Sequence, residues 1–374
     1  MEKNYFAVIA GAGPAGSFLA RLLAQENRPV ALLDKRQFPR YKPCGGGVSA
    51  KARKLLLDNG ADYSHLIQDR VNTVVFTNRC QDPIEVKFDD AIIDMVMREE
   101  LDHLLMQQAV QSGAEVFTPC KVLDMEQQHG KMLVKTSNGT FNTRYLIGAD
   151  GANSLVSKRL NYKVKARLGF AVECELEDKC FPHYQGKVQL DHGHIDDGYG
   201  WVFPKKQAHL SVGIGSFSQK TKNYRRILDN FLEALELNPK INLIKGHLIP
   251  TPTHKKITLG KNNSLLIGDA AALADPLSGE GIYYALRSAI LASESLLEEN
   301  PASYSDKVSR CILPELMQAK KVARLIYTIP GTVHSLLKRD RELAKMLVEI
   351  VYGGEQYNNL LKQFIKNKLT INLA

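Results

Sequence analysis

The chain has 374 residues, 44% of them hydrophobic, and a formal net charge of +9, enough for a real core spread over roughly two or three domains of ~100–200 residues. It excludes a membrane-spanning protein, since no apolar run reaches the ~18 residues required, and Met1 to Tyr5 offers neither the basic nor the apolar region of a secretory leader. The basic residues are scattered without a nucleic-acid signature, and the six cysteines show no C-x-x-C spacing, which favours reduced thiols in a cytosolic protein over a disulfide framework or a zinc site.

The chain opens with an apolar strand, Phe6 to Ala10, followed by Gly11, Gly13 and Gly16 in G-x-G-x-x-G spacing, a helix over Ser17 to Gln25, and a second strand, Val30 to Leu33, ending at Asp34. This order has a physical logic. The first glycine allows the tight turn, the second lets a pyrophosphate approach the backbone, and the third lets the helix pack on the strand. The helix start faces the phosphates with its partial positive charge, and Asp34 stands where a carboxylate would bind ribose hydroxyls. The stretch predicts a dinucleotide site without choosing between NAD and FAD.

Further along, Tyr145 to Ile147 reads as a strand running into Asp150 and Gly151, then a helix with Asn153 or Ser154 as its cap. "FAVECELE", "KVQLDHG" and "HLSVGIGSF", between Lys163 and Pro250, alternate apolar and polar residues. That predicts an antiparallel sheet, one face of it covering the ligand. Tyr199, Trp201 and Phe203 alternate on one strand and so share a face, as plain core or as the wall of an apolar channel. A run from Ser264 to Ile267 leads into "GDAAALADPLSGEGI", with Asp269, Gly279 and Gly281, and a helix starts at Ile282. Strand, small residues, acid, helix is the grammar of all three segments. Three strand tips meeting at one crevice would account for it.

From Pro301 the pattern is helical, with Leu336, Leu343, Leu347 and Ile350 on one face and Leu360, Leu361, Phe364 and Ile365 on another. Lys320, Lys321, Arg324, Lys338, Arg339, Arg341, Lys362, Lys366 and Lys368 make these helices basic. Such helices can lie against an anionic membrane surface on its inner face; the competing expectation is that they cap the substrate cavity or pack on the nucleotide domain. No Ser-His-Asp set, metal-ligand cluster or P-loop stands out, so the chemistry belongs to a cofactor.

Taken together, G-x-G-x-x-G, "ADG" and "GDAAALADPLSGEGI" resemble the p-hydroxybenzoate hydroxylase-like flavoprotein superfamily. Within it "PCGGGVS" (Pro43 to Ser49) and "YGWVFPK" (Tyr199 to Lys205) resemble the geranylgeranyl reductase family. The motifs run from residue 11 to 281, about three quarters of the chain. The resemblance implies an α/β plus β fold: a three-layer, Rossmann-like FAD domain of the GR2 type, an inserted antiparallel substrate sheet and a helical C-terminal region. The expected boundaries are 1–75, 95–165 and 255–298 for the FAD domain, 76–94 and 166–254 for the substrate domain, and 299–374 for the helices.

The resemblance also implies residue roles. Ala15 and the glycine turn would hold the FAD pyrophosphate, and Asp34, where the family commonly has glutamate, the adenosine ribose. Cys44, Gly45 and Gly47 would lie by the flavin. Arg98 would reach the cofactor from its helix, unless it is only an i,i+4 partner of Asp94 or Asp102. Val122 would meet adenine, Asp150 and Gly151 would join the cofactor site, and Asp269, Gly279, Gly281 and Ile282 the ribityl chain and ring. Tyr199, Trp201, Phe203 and Lys205 would bind a polyprenyl lipid or quinone precursor. An isolated alkene needs a proton at or before hydride transfer, so an acid is required. Cys44 is the sequence's candidate, as that acid or as a thiol shaping the flavin edge; a proton from solvent or a thiol with no role are the alternatives. NADPH and ferredoxin both remain open as electron source. A monooxygenase or halogenase, or a flavin-binding redox sensor, are the competing functions.

Overall fold

In the computed structural model, residues 4–177, 179, 181–206, 208–237, 244–353 and 357 are described. The first sheet orders its strands Gly260–Lys261, Ser264–Leu266, Gly139–Gly148, Asn4–Ala10, Val30–Leu33 and Glu115–Phe117. Its four inner pairings are parallel, and an antiparallel hairpin, Val122–Gln128 with Lys131–Thr136, extends from Gly139–Gly148. The strands Asn4–Ala10 and Val30–Leu33 are almost wholly buried, as parallel strands covered on both faces must be. Helices Pro14–Gln25, Arg98–Gln111 and Ile282–Leu297 pack together over this sheet.

Register decides where the strands stop. Ala10 lies opposite both Leu33 and Gly148, and Gly148 opposite Leu266. Three segments more than a hundred residues apart in sequence therefore end side by side, at the carboxyl edge where open α/β sheets bind ligands.

The second sheet has the order Lys245–Pro252, Ala166–Glu177, His209–Ser216, Gly198–Pro204, Lys187–His192, Thr73–Asn78 and Gln81–Lys87. It is antiparallel apart from one pair: Thr73–Asn78 runs parallel to Lys187–His192. The strands between residues 166 and 252 pair antiparallel with one another, as expected; the parallel pair brings in Thr73–Asn78 from earlier in the chain. A third sheet, Gly47–Ser49, Ile93–Met95 and Asp69–Val71, joins the two large ones, so residues 93–95 belong to the junction.

The C-terminal region is a run of helices, Ser303–Cys311, Leu313–Thr328, Pro330–Arg339 and Arg341–Val348, ending in a π-helical turn at Glu349–Gly353. The pattern over 335–351 reads as one helix, but the chain breaks at Asp340, whose side chain caps the next helix at the Leu343 amide. Leu343, Leu347 and Ile350 are buried in a core shared with Phe76, Ile84, Val86 and Val188 of the second sheet; Leu336 is packed at its margin. Their apolar faces are thus spent inside the protein, against the second sheet. The expected face of Leu360, Leu361, Phe364 and Ile365 lies outside the described residues. Among the described residues no helix is long and apolar enough to cross a membrane.

Candidate active site

Gly11 and Gly16 are glycines because the turn and helix touch. A Cβ on Gly16 would stand 1.9 Å from the Gly11 carbonyl oxygen, and one on Gly11 2.3 Å from that of Ala149. Gly13 differs: its nearest neighbour would be Arg40 Nη2 at 3.9 Å, and its open side faces a large cavity. Helix Pro14–Gln25 begins at Gly13 without a side-chain cap, so its first amides are left for a ligand. Helix Ile282–Leu297 begins the same way at Gly281. Both starts line the cavity, through Gly13, Pro14 and Ala15 and through Gly279, Gly281 and Ile282. Its empty space, open mouth included, is about 1410 Å³.

Asp34, at the end of Val30–Leu33, accepts the Ala12 amide on Oδ2 (3.0 Å) and the Arg36 amide on Oδ1 (2.9 Å). It braces the glycine turn, each oxygen keeping a lone pair for a hydroxyl. Val122 opens its strand close by, two residues after Cys120, whose amide donates to the Asp34 carbonyl; neither Val122 nor Asp34 lines the cavity. Asp150 is used differently from the expectation. Its Oδ2 accepts the Leu155 and Val156 amides (2.6 and 3.2 Å), capping a short helix together with Ser154, while Oδ1 is buried without a partner. Gly151 does line the cavity.

Arg98 makes the i,i+4 pair with buried Asp102 at 2.9 Å and also stands at the cavity. Asp269 stands at the third strand tip beside His247 Nε2 at 3.7 Å, and Lys42 Nζ lies 2.9 Å from that same nitrogen. Burial would raise the Asp269 carboxyl, but the His247 hydrogen bond and the charges of Lys42, His247 and Arg98 hold it below its ordinary value. Burial lowers both Lys42 and His247, with Arg98 adding to each.

Across the cavity stands the strand Gly198–Pro204. Tyr199, Trp201 and Phe203 project from one face of it and line the cavity. Gly213, opposite Trp201, leaves room for the indole: a Cβ there would come within 2.2 Å of Trp201 Cζ2. Cys44, Gly45 and Gly47 lie on the same wall, but the glycines there serve packing as well as a ligand. A Cβ on Gly45 would strike the Phe203 ring at 2.6 Å, and one on Gly46 the Val96 carbonyl oxygen at 2.1 Å. Lys205 is not at the cavity. Its buried Nζ donates to the carbonyl oxygens of Gly45 (2.6 Å) and Val96 (2.8 Å), so the expectation of a substrate contact gives way to a brace behind the loop.

Two acids at the cavity went unnoticed in the sequence. Glu280 accepts the Ser49 hydroxyl (2.5 Å) and pairs with buried Lys51 at 3.1 Å; burial raises it, against the Lys51 charge. Glu173 accepts the Cys44 amide (2.6 Å) and the Tyr41 hydroxyl (3.1 Å). A second, apolar cavity shares Tyr199, Ser278 and Tyr352 with the first and runs between the sheet and the C-terminal helices, past Phe76, Leu277, Ile326 and Leu347. Cys80, Asp191 and His194 also bring donor atoms within 4.8 Å of one another, but away from the cavity, with His194 Nδ1 and the Thr77 hydroxyl already on Asp191.

The residues present fit a flavin dinucleotide: two uncapped helix starts, an open side at Gly13 and Gly151 where no neighbour would meet a Cβ within 3.8 Å, and an orphaned Trp201 Nε1 in the wall. A family model for an FAD binding domain matches residues 5–177. An uncharacterised protein of Methanosarcina barkeri is 33% identical over 330 residues, 87% of this chain and 83% of its own. The geranylgeranyl diphosphate reductase of Rhodobacter capsulatus is 30% identical over 311 residues, 79% of this chain and 75% of its own. The crystal structure of a geranylgeranyl bacteriochlorophyll reductase-like protein of Thermoplasma acidophilum superposes with a TM-score of 0.81 at 19% identity, covering 98% of this chain and 100% of that one. With the strand tips, the two helix starts and the glycine turn all in place, this chain belongs to the geranylgeranyl reductase family of p-hydroxybenzoate hydroxylase-like flavoproteins and is an FAD-dependent oxidoreductase.

Proposed function

We propose that this oxidoreductase saturates carbon–carbon double bonds in the polyprenyl chain of a lipid or quinone precursor. The observation that carries the reading is a pair of adjacent cavities that share Tyr199, Ser278 and Tyr352: a cleft walled by aromatics and, beside it, an apolar pocket between the second sheet and the C-terminal helices. A small aromatic substrate has no use for the second pocket; a long apolar chain does. Bound FAD, once reduced, supplies a hydride to such a bond.

The rest falls to the chain's own residues. The amides of Gly13 and Ala15 and the turn at Gly151 would grip the pyrophosphate, and Asp34 the ribose. Asp269 and the start of helix Ile282–Leu297 would hold the ribityl chain and favour negative charge on the ring. Tyr199, Trp201 and Phe203 would exclude water and align the alkene. Tyr199 is pinned by its hydroxyl to the Ser278 carbonyl, at the junction of the two pockets.

Anaerobic incubation of the chemically reduced holoprotein with geranylgeranyl diphosphate, read by mass spectrometry, tests this. The expected product is heavier by ~2 mass units per bond saturated. Turnover of an aromatic substrate only when oxygen is present would replace the reading with a monooxygenase or halogenase.

A further inference from the structure

Strand Ala166–Glu177 carries glutamates at 173, 175 and 177, which alternation places on one face. They are not equivalent. Glu177 is exposed, Glu175 half-buried, and Glu173 is 3% exposed and lines the cofactor cavity. The Cys44 amide and the Tyr41 hydroxyl both donate to its Oε1, which fixes the carboxyl against the loop that also faces the aromatic wall.

The groups around Glu173 can be named from each side. Glu175 shares its strand, and Lys245 and Gly213 are its cross-strand neighbours. Cys44 and Tyr41 face it from the loop, and Lys205 from the end of the aromatic strand. Lys205 would be the natural counter-ion, but its hydrogen bonds go to Gly45 and Val96. Burial pushes Glu173 up to about 7, with the Glu175 charge adding, against the Cys44 amide, the Tyr41 hydroxyl and Lys205. A general acid works best when its proton affinity matches the operating pH. Of the other carboxylates lining the cavity, Asp269 is held ionised by its neighbours and Glu280 is paired with Lys51.

We propose that Glu173 is the general acid of this site and protonates the substrate double bond. The proposal rests on the reductase reading above and replaces Cys44 as the acid. The alkene π pair forms a C–H bond with the proton of the Glu173 carboxyl, and positive charge develops on the more substituted carbon. That carbon takes the hydride which reduced flavin supplies, so two C–H bonds replace one π bond. Glu173 is left as a carboxylate and regains its proton from solvent; the two electrons of the hydride would come from the reduced FAD held in the site, replenished by the electron donor.

The test pairs a resting measurement with turnover. Infrared difference spectra of the oxidised, flavin-loaded protein across neutral pH should show a protonated carboxyl band that disappears as pH rises through about 7 and that is missing in Glu173→Gln. Glu173→Gln should lose ~10²–10⁴-fold in kcat, and Glu173→Asp should recover part of it with a shifted pH profile. A wild type without that band overturns the proposal even where the glutamine variant fails to fold. So does an active wild type matched by Glu173→Gln in rate and pH profile. A wild type inactive on every prenyl substrate removes the reductase reading and the acid's role together, while the band still reports whether Glu173 holds a proton.

Discussion

Lys205 donates to two carbonyl oxygens that belong to different parts of the chain, Gly45 and Val96, from a position 2% exposed. Replacing it by methionine keeps the apolar stem and leaves both acceptors buried and unpaired, each costing ~1–3 kcal/mol. Lys205→Met should therefore lower stability by about 2–6 kcal/mol in thermal or urea melts and release flavin more readily, because the loop carrying Cys44 loses its anchor. Glu173 predicts a pH effect as well. Its folded value is raised from 4.5 to about 7, so between those limits the folded state holds a proton that the unfolded state has released. Stability from this group is full below pH ~4.5 and declines as pH rises through about 7, by about 3 kcal/mol in all. In Glu173→Gln that part of the decline should vanish, as melts from pH ~5 to pH ~8 would show. His192 has the opposite sign. Burial lowers it to about 4, so its contribution is present above pH ~6.5 and fades as pH falls through about 4.

At the scale of elements, the glycine turn separates two kinds of constraint that sequence alone shows as one motif. A Cβ on Gly16 meets the Gly11 carbonyl oxygen at 1.9 Å, whereas one on Gly13 has nothing of the protein within 3.8 Å. Gly16→Ala should push the helix off the strand and lose more than ~4 kcal/mol together with the flavin. Gly13→Ala should melt within ~0.5 kcal/mol of the wild-type apoprotein yet bind flavin at least ~10-fold more weakly, a loss of about 1.4 kcal/mol in binding, as fluorescence titration would show. The strand–turn–helix grammar at Gly11, Asp150 and Asp269 was legible because local periodicity and a bare turn are written in neighbouring residues. The aromatic stripe was legible for the same reason. Glu173 was not: alternating acids on a strand read as a solvent face, and only the loop and the Lys205 strand end packed over them make one of them a cavity residue. Nor was Lys205, whose partners lie 160 and 109 residues away, nor the parallel pairing of Thr73–Asn78 with Lys187–His192, which no hairpin announces.

On the scale of the molecule, the C-terminal helices act as the outer wall of the second sheet. Leu347 lies both in that core and in the wall of the apolar pocket. Leu347→Ala should cost ~2–5 kcal/mol and weaken binding of a long prenyl substrate more than a short one, measured as KM across chain lengths. Exposed Lys321→Ser, on the outer face, should change stability by less than ~0.5 kcal/mol.

The ordering of the strands in the first sheet carries a consequence for how the enzyme is made. Its third tip is supplied by Ser264–Leu266, and the second helix start by Ile282, so a nascent chain holds no complete flavin pocket until Ile282 has left the ribosome. The Gly11 turn emerges long before and must wait, its amides uncovered, while the entire second sheet is synthesised. Loading with the coenzyme is thus a late event, coupled to closure of the finished sheet, and a truncated product ending before that point would be born colourless.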